Sequence, residues 1–169
     1  MATKKTFDQV LEEVRDKRIL VANRGIPARR IMRSVQERFG AIPVMTATDI
    51  DKTSPSTAGA HELLLLGPDP RAYLDVDTII KKAKDRGVIA IHPGWGFASE
   101  DADFPQKCED AGIIFIGSSA DSMFKLGNKV QVRKLAMELG VPVVPGSEGA
   151  VDLDEAKRLA KEIGLPIML

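Results

Sequence analysis

Short apolar runs alternate along the chain with longer stretches in which apolar residues recur every three or four positions, and glycine marks the change between them. Five times an amphipathic stretch ends in Gly and an apolar run follows at once: Ile42-Pro43-Val44-Met45 after Gly40, Val88-Ile89-Ala90-Ile91 after Gly87, Ile113-Ile114-Phe115-Ile116 after Gly112, Val141-Pro142-Val143-Val144 after Gly140, and Leu165-Pro166-Ile167-Met168-Leu169 after Gly164. Glycine just past a helix supplies the left-handed conformation that ends it, and a short apolar run bounded by turn residues reads as a buried strand. Arg18-Ile19-Leu20-Val21 and Glu62-Leu63-Leu64-Leu65-Leu66 add two more such runs. Strands apolar along their whole length belong to a parallel sheet covered on both faces, so the expected fold class is α/β, open and doubly wound.

The segments between these runs have helical spacing. Pro27 stands in an early-turn position before Ile31, Met32 and Val35 on one face. Asp75 or Asp77 caps a helix carrying Val76, Ile79, Ile80 and Ala83, which ends at Gly87. A short segment runs from Asp121 or Ser122 to Gly127, Val130 to Leu139 continues helically, and Asp152 caps a last helix with Ala156, Leu159, Ala160 and Ile163 on one face. Residues 1–16 read as an appended amphipathic helix, with Thr6 capping Phe7, Val10, Leu11 and Val14. Residues 49–60, with Lys52-Thr53-Ser54-Pro55-Ser56-Thr57, predict a long exposed loop. Leu169 falls inside an apolar run with no cap or polar tail, so the chain is expected to stop within an element.

Composition narrows the function classes. The 169 residues carry 24 Lys+Arg against 24 Asp+Glu, which leaves no electrostatic footprint for nucleic acid or an anionic membrane. One Trp and one Tyr do not make a base-stacking platform. The longest aliphatic run, 63–66, is far too short to span a membrane, and Met1-Ala2-Thr3-Lys4-Lys5 is not followed by an apolar signal region. Cys108 is the one cysteine, so no internal disulfide forms and a reducing, cytoplasmic location is expected.

Three segments can carry chemistry. Ala22-Asn23-Arg24-Gly25-Ile26-Pro27 follows the first strand, where a glycine turn feeding a helix N-terminus either holds an anion or only turns the chain. With Gly25 alone, the three-glycine dinucleotide fingerprint is missing, which disfavours a dehydrogenase. His92-Pro93-Gly94-Trp95-Gly96-Phe97-Ala98-Ser99-Glu100-Asp101 follows the fourth strand. Trp95 between two glycines either offers a flat face to a ligand or is tucked into a rigid turn, with Ser99 or Asp101 capping the helix around Phe104; residue types alone favour the second. His61 and His92 are the two histidines, with no carboxylates at ligand spacing, so a metal site in this chain is not expected. Gly127-Asn128-Lys129 breaks two helical stretches, and its lysine either meets a phosphate or is solvated; it is not a Walker motif.

Taken in order, these segments resemble the N-terminal part of biotin carboxylase, an ATP-grasp enzyme. The resemblance runs from about Arg18 to Leu169. It is carried by Asn23-Arg24-Gly25, Gly67-Pro68 with Tyr73-Leu74, His92-Pro93-Gly94-Trp95-Gly96-Phe97 with Ser99-Glu100, Phe115-Ile116-Gly117, Gly127-Asn128-Lys129 and Gly140-Val141-Pro142-Val143-Val144-Pro145-Gly146-Ser147. It implies a Rossmann-like pre-ATP-grasp domain over 17–132 and the start of an ATP-grasp unit, its first helix and strand, over 133–169. It further implies a parent enzyme that uses ATP, bicarbonate and Mg²⁺ or Mn²⁺ to carboxylate biotin on a carrier protein, working with carboxyltransferase components and as a homodimer. Lys129 matches the family lysine that contacts the nucleotide, Trp95, Gly96, Phe97 and Glu100 match a loop bordering the active site, and Arg33 and Glu37 lie on a helix resembling one at the dimer contact. No catalytic or metal-binding residue is expected within this chain, which alone should be inactive.

The sequence departs from the family pattern in places. Ile26-Pro27 stands where Glu-Ile is commoner, Asn128 where Asp is usual, and Trp95 where the aromatic is usually Tyr. The alternatives to a biotin carboxylase domain are a stand-alone Rossmann-like binding or assembly module and the N-terminal domain of another ATP-grasp ligase.

Overall fold

The computed structural model describes residues 6–168; residues 1–5 and Leu169, the start of the appended segment and the end of the last apolar run, lie outside the described residues. The chain divides into two compact units between Ala120 and Asp121.

The first unit is built on a parallel sheet of β1 (Arg18–Val21), β2 (Ile42–Thr48), β3 (Glu62–Gly67), β4 (Val88–His92) and β5 (Ile114–Phe115), in the order β3-β2-β1-β4-β5. These are the runs whose flanking glycines and aliphatic composition predict strands. Successive side chains of a strand point to opposite faces, and the helices divide accordingly. Leu20 and Ala22, with Val44, Leu64 and Ile91, pack against Val76, Ile79, Ile80 and Ala83 of α3 (Val76–Asp85) and Phe104 and Cys108 of α4 (Asp103–Asp110). Val21 and Met45 pack against Ala28 and Met32 of α2 (Gly25–Glu37), and Ile19 and Ala90 against its Val35.

The caps follow the sequence signals. The Asp75 carboxylate accepts the Thr78 N–H at 3.0 Å, and Asp101 accepts the Asp103 N–H at 2.9 Å to start α4. Thr6 and Gln9 form a reciprocal capping box on α1 (Phe7–Val14), whose Phe7 meets Phe39 edge-on at 6.1 Å.

The second unit contains α5 (Ala120–Gly127), α6 (Lys129–Glu138) and α7 (Leu153–Ile163), the last capped by Asp152 at the Glu155 N–H. Residues 141–144 and 165–168, expected to be strands, form none. A strand needs a neighbour for its N–H and C=O groups, and Pro142, Pro145 and Pro166 have no N–H to offer. The Val144 carbonyl is instead taken by Arg133 Nη1 at 2.6 Å, and Val144 and Leu165 are 77% and 81% exposed.

Leu20 sits on the central strand with no exposed surface. Leu20→Ala should cost about 2–5 kcal/mol, the range for a buried leucine that leaves a cavity. Ile26→Ser, at a position 84% exposed, should stay within about 0.5 kcal/mol. Urea unfolding followed by far-ultraviolet circular dichroism separates the two; equal midpoints would mean that β1 is not the centre of the core.

Candidate functional site

The chain runs from β1 outward through β2 to β3 and then crosses to β4 on the other side of β1. At that reversal the loops after β1 and β4 leave in different directions, and ligands of such sheets collect in the crevice at the carboxyl ends of the strands. Here the two loops are stitched together by one side chain. Asn23, 1% exposed, donates from Nδ2 to the carbonyl oxygens of Pro93 at 2.8 Å and Trp95 at 2.9 Å, and its Oδ1 accepts the Arg24 N–H at 2.9 Å. Its own carbonyl accepts from Thr46 Oγ1 at 3.1 Å.

The loop after β4 has an unusual backbone. Gly94, Gly96 and Phe97 all have left-handed φ values, of 74°, 70° and 52°. A Cβ on Gly94 would lie 2.5 Å from Asn23 Nδ2, so glycine is needed there for both space and conformation. For Phe97 the left-handed conformation costs roughly 1–2 kcal/mol, and ring contact with Tyr73 at 5.2 Å helps to hold it. The His92 Nδ1 accepts the Gly94 N–H at 3.0 Å, which leaves the ring proton on Nε2; burial lowers the His92 pKa and favours that neutral form.

Beneath Phe97 lies a polar network that the sequence did not reveal. Asp51, expected on an exposed loop, is buried: Oδ2 accepts from the Tyr73 hydroxyl at 2.8 Å and the Thr48 hydroxyl at 3.0 Å, while Oδ1 pairs with Arg24 Nη2 at 2.8 Å. Tyr73 in turn accepts the Thr48 N–H at 3.3 Å. A carboxylate removed from water must be paired and hydrogen-bonded, and this one pins 49–60 to β2 and to the Pro70–Leu74 turn. Partners 22 and 27 positions away leave no local signature; the nearest signal was Tyr73 itself, the single tyrosine.

The loop residues expected to form a site are together. Trp95 is 78% exposed rather than tucked into the turn, Phe97 is 43% exposed, and Glu100 closes the short 3₁₀ turn Phe97–Glu100 on the surface. Trp95 and His92 also reach the end of a cavity of about 790 Å³ between α1, α2 and the sheet, lined mainly by aliphatic side chains such as Val14, Ile31, Val35 and Ala90. Lys129 belongs to the other unit, where it is the exposed first residue of α6; Asn128 Oδ1 accepts the N–H groups of Val130 and Gln131 at 2.9 and 3.2 Å, so that helix end is already capped. Arg33 and Glu37 form an exposed ion pair of 2.9 Å along α2. Among the described residues, no three His, Cys, Asp or Glu side chains converge as metal ligands, and no helix is long and apolar enough to cross a membrane.

Comparison with known proteins agrees with this architecture. The family model described as biotin carboxylase, N-terminal domain, matches residues 15–123. Biotin carboxylase 2 of Bacillus subtilis (strain 168) is 43% identical over 155 residues, covering 90% of this chain and 35% of that protein. Pyruvate carboxylase 1 of Caenorhabditis elegans is 44% identical over 156 residues, covering 90% of this chain and 13% of that protein. The biotin carboxylase domain dimer of Hydrogenobacter thermophilus 2-oxoglutarate carboxylase, solved with MgADP, ADP and bicarbonate, superposes with a TM-score of 0.82 at 39% identity, over 89% of this chain and 33% of that one. The chain therefore spans about a third of the length of the biotin carboxylases that it matches.

The Asp51 network has a spectroscopic handle. Burial first, and then the hydrogen bond to Asp51, push the Tyr73 phenol from 10 up to about 12. The folded protein thus keeps a proton that the unfolded chain releases, so this stabilisation is complete below pH 10 and is lost as pH rises towards 12. It amounts to roughly 2–3 kcal/mol. Because Tyr73 is the single tyrosine, its phenolate absorbance should titrate near 12 in the native chain and near 10 in urea. Native titration at the ordinary value would place the hydroxyl outside the network.

Proposed function

The chain belongs to the biotin carboxylase N-terminal domain family, and from that membership we propose that it is the N-terminal domain of an enzyme that uses ATP and bicarbonate to carboxylate biotin on a carrier protein. The observation that carries this reading is the placement of Trp95, Gly96, Phe97 and Glu100 on one clamped loop at the carboxyl edge of the sheet, the edge where ligands of such folds bind. In the proposed enzyme this loop borders the active site and presents its exposed aromatic rings and Glu100 towards the reacting groups. When bound, ATP and bicarbonate supply the activated carboxyl group, which has to be shielded from water.

Lys129 is proposed to contact the nucleotide. Its ammonium stands on a helix end whose first free N–H groups are occupied by Asn128, so the lysine side chain and not the helix terminus supplies the anion contact. Mg²⁺ or Mn²⁺, which such chemistry uses to neutralise phosphate charge, is assigned to no residue described here, and neither are the groups that carry out bond making. The ATP-grasp part is proposed to start after residue 132. Arg33 and Glu37, on the exposed face of α2, are proposed dimer contacts in a homodimer that also engages a biotin carboxyl carrier protein and carboxyltransferase components. The single thiol, Cys108, is buried and its pKa is pushed up by that burial to about 12; an unreactive lone cysteine suits a reducing compartment, and we place the enzyme in the cytoplasm.

Two measurements test the reading. The 169-residue chain should fold but show no bicarbonate-dependent ATP cleavage and no carboxylation of free biotin; turnover by the pure chain would overturn the division of labour. In the full-length carboxylase, Lys129→Ala should raise the KM for ATP by about one to two decades, because a charge-assisted phosphate contact is worth roughly 1.5–3 kcal/mol. Unchanged KM and kcat would remove Lys129 from the nucleotide site.

A further inference from the structure

Holding a loop near a reaction and touching the reactants are separate tasks, and here they fall to different side chains. Resting on the reading that the loop after β4 borders the active site, we propose that Asn23 is a positioning residue for the carboxylation chemistry, which holds Trp95, Gly96 and Phe97 in their reactive arrangement through the donor group of its amide.

Several observations converge on that amide. Its orientation is not free: Oδ1 accepts the Arg24 N–H, so the NH₂ group must face the other way, where it meets the carbonyl oxygens of Pro93 and Trp95. Two carbonyls turned inward onto one NH₂ leave the Trp95 ring outside, 78% exposed, on a backbone anchored on both sides of its Cα. The loop would not choose this path unaided, since Phe97 lies in the left-handed region at 52° without being glycine; strained backbone persists where its surroundings over-determine it. The fit is reciprocal, because the amide occupies the space that a Cβ on residue 94 would need, at 2.5–2.7 Å from three Asn23 atoms. Asn23 is itself immobilised, with its carbonyl bonded to the Thr46 hydroxyl and its side chain buried. No part of it is exposed enough to bind a ligand directly, so its effect on chemistry passes through the loop.

Asn23→Asp is the sharpest probe. It keeps the size of the side chain and the acceptor for Arg24, but sets an oxygen against two carbonyl oxygens. Asn23→Ala removes the contacts altogether, and Gly94→Ala attacks the same contact from the loop side, which keeps the test decisive if either Asn23 variant fails to fold. Ile79→Val, which trims a buried side chain of α3 and removes none of the hydrogen bonds to Asn23 or to its loop, is the control for lost stability alone. Trp95 is the one tryptophan of the chain, so its fluorescence anisotropy reads this loop. Anisotropy should fall in Asn23→Asp, Asn23→Ala and Gly94→Ala, and stay at the wild-type value in Ile79→Val. In the full-length carboxylase Asn23→Asp should lower kcat on the order of 10²-fold, the cost of misplacing a reacting group by about 1 Å, with the KM for ATP little changed.

The two readouts fail differently. Anisotropy unchanged by the Asn23 and Gly94 substitutions, or lowered as much by Ile79→Val, would overturn the positioning role. A released Trp95 with unaltered kcat would instead overturn the placement of this loop at the active site, and with it the catalytic consequence of the clamp.

Discussion

A parallel sheet covered on both faces delivers its strands' last carbonyls, and the polar atoms of the loops that follow, into a region that water does not reach. Each such group must be paired within the protein, because an unpaired one costs roughly 1–3 kcal/mol. The carboxyl edge of this sheet is organised by that requirement. Thr46, buried on β2, bonds the carbonyls of Val21 and Asn23 at the end of β1; Asn23 bonds the loop after β4; Asp51, Tyr73 and Arg24 bond the loops after β1, β2 and β3 to one another. Four of these five side chains, Asn23, Thr46, Asp51 and Tyr73, are buried, so the loops at this edge are held mainly from inside.

The same requirement explains why the two units look different. In the first, strands are paired with strands and the aliphatic residues between them are sealed by α2, α3 and α4. In the second, among the described residues, three helices stand beside apolar runs that pair with no strand, and Phe124, Leu139, Val144, Leu153 and Leu165 are each at least 70% exposed. An apolar run becomes a strand when a neighbouring edge offers it hydrogen bonds, not because of its composition alone. Ile42-Pro43-Val44 tolerates its proline because β1 pairs the run while the ladder to β3 begins only at Val44, so no partner strand calls for the N–H that Pro43 lacks. Val141-Pro142-Val143 has the same make-up and no such partner.

That contrast also marks what was legible beforehand. The helices and the five paired strands could be read because their signals are local: a capping Asp75 or Asp152, a glycine after the last turn, an aliphatic run. The loop at 92–97 could be singled out from its glycines, and left-handed φ values at Gly94 and Gly96 supply the reason for them. Whether Trp95 pointed in or out could not, since that depends on where its carbonyl is held, 72 positions away, by Asn23. Asp51 was equally hidden: in a segment of Lys, Ser, Thr and Pro nothing distinguishes the one carboxylate that an arginine and a tyrosine will bury.

Two departures from the family pattern take on physical meaning in this frame. Asn128 stands where Asp is usual beside the lysine, yet it caps α6 through two backbone N–H groups as an Asp would, and the two residues are about equal in that role. What changes is charge: Lys129 keeps its helix-end position, and the residue next to it in sequence is a neutral amide and not a carboxylate. Ile26 does the opposite at α2. At 84% exposed it contributes nothing to the core, and it leaves the first turn of the helix without an acidic residue, forgoing the roughly 0.3–1 kcal/mol that a carboxylate gains at a helix N-terminus. The turn is held all the same, because the Asn23 side chain bonds the Arg24 N–H from inside and Arg24 is tied to Asp51. The buried network thus holds this loop geometry without an acidic residue in the first turn to assist it.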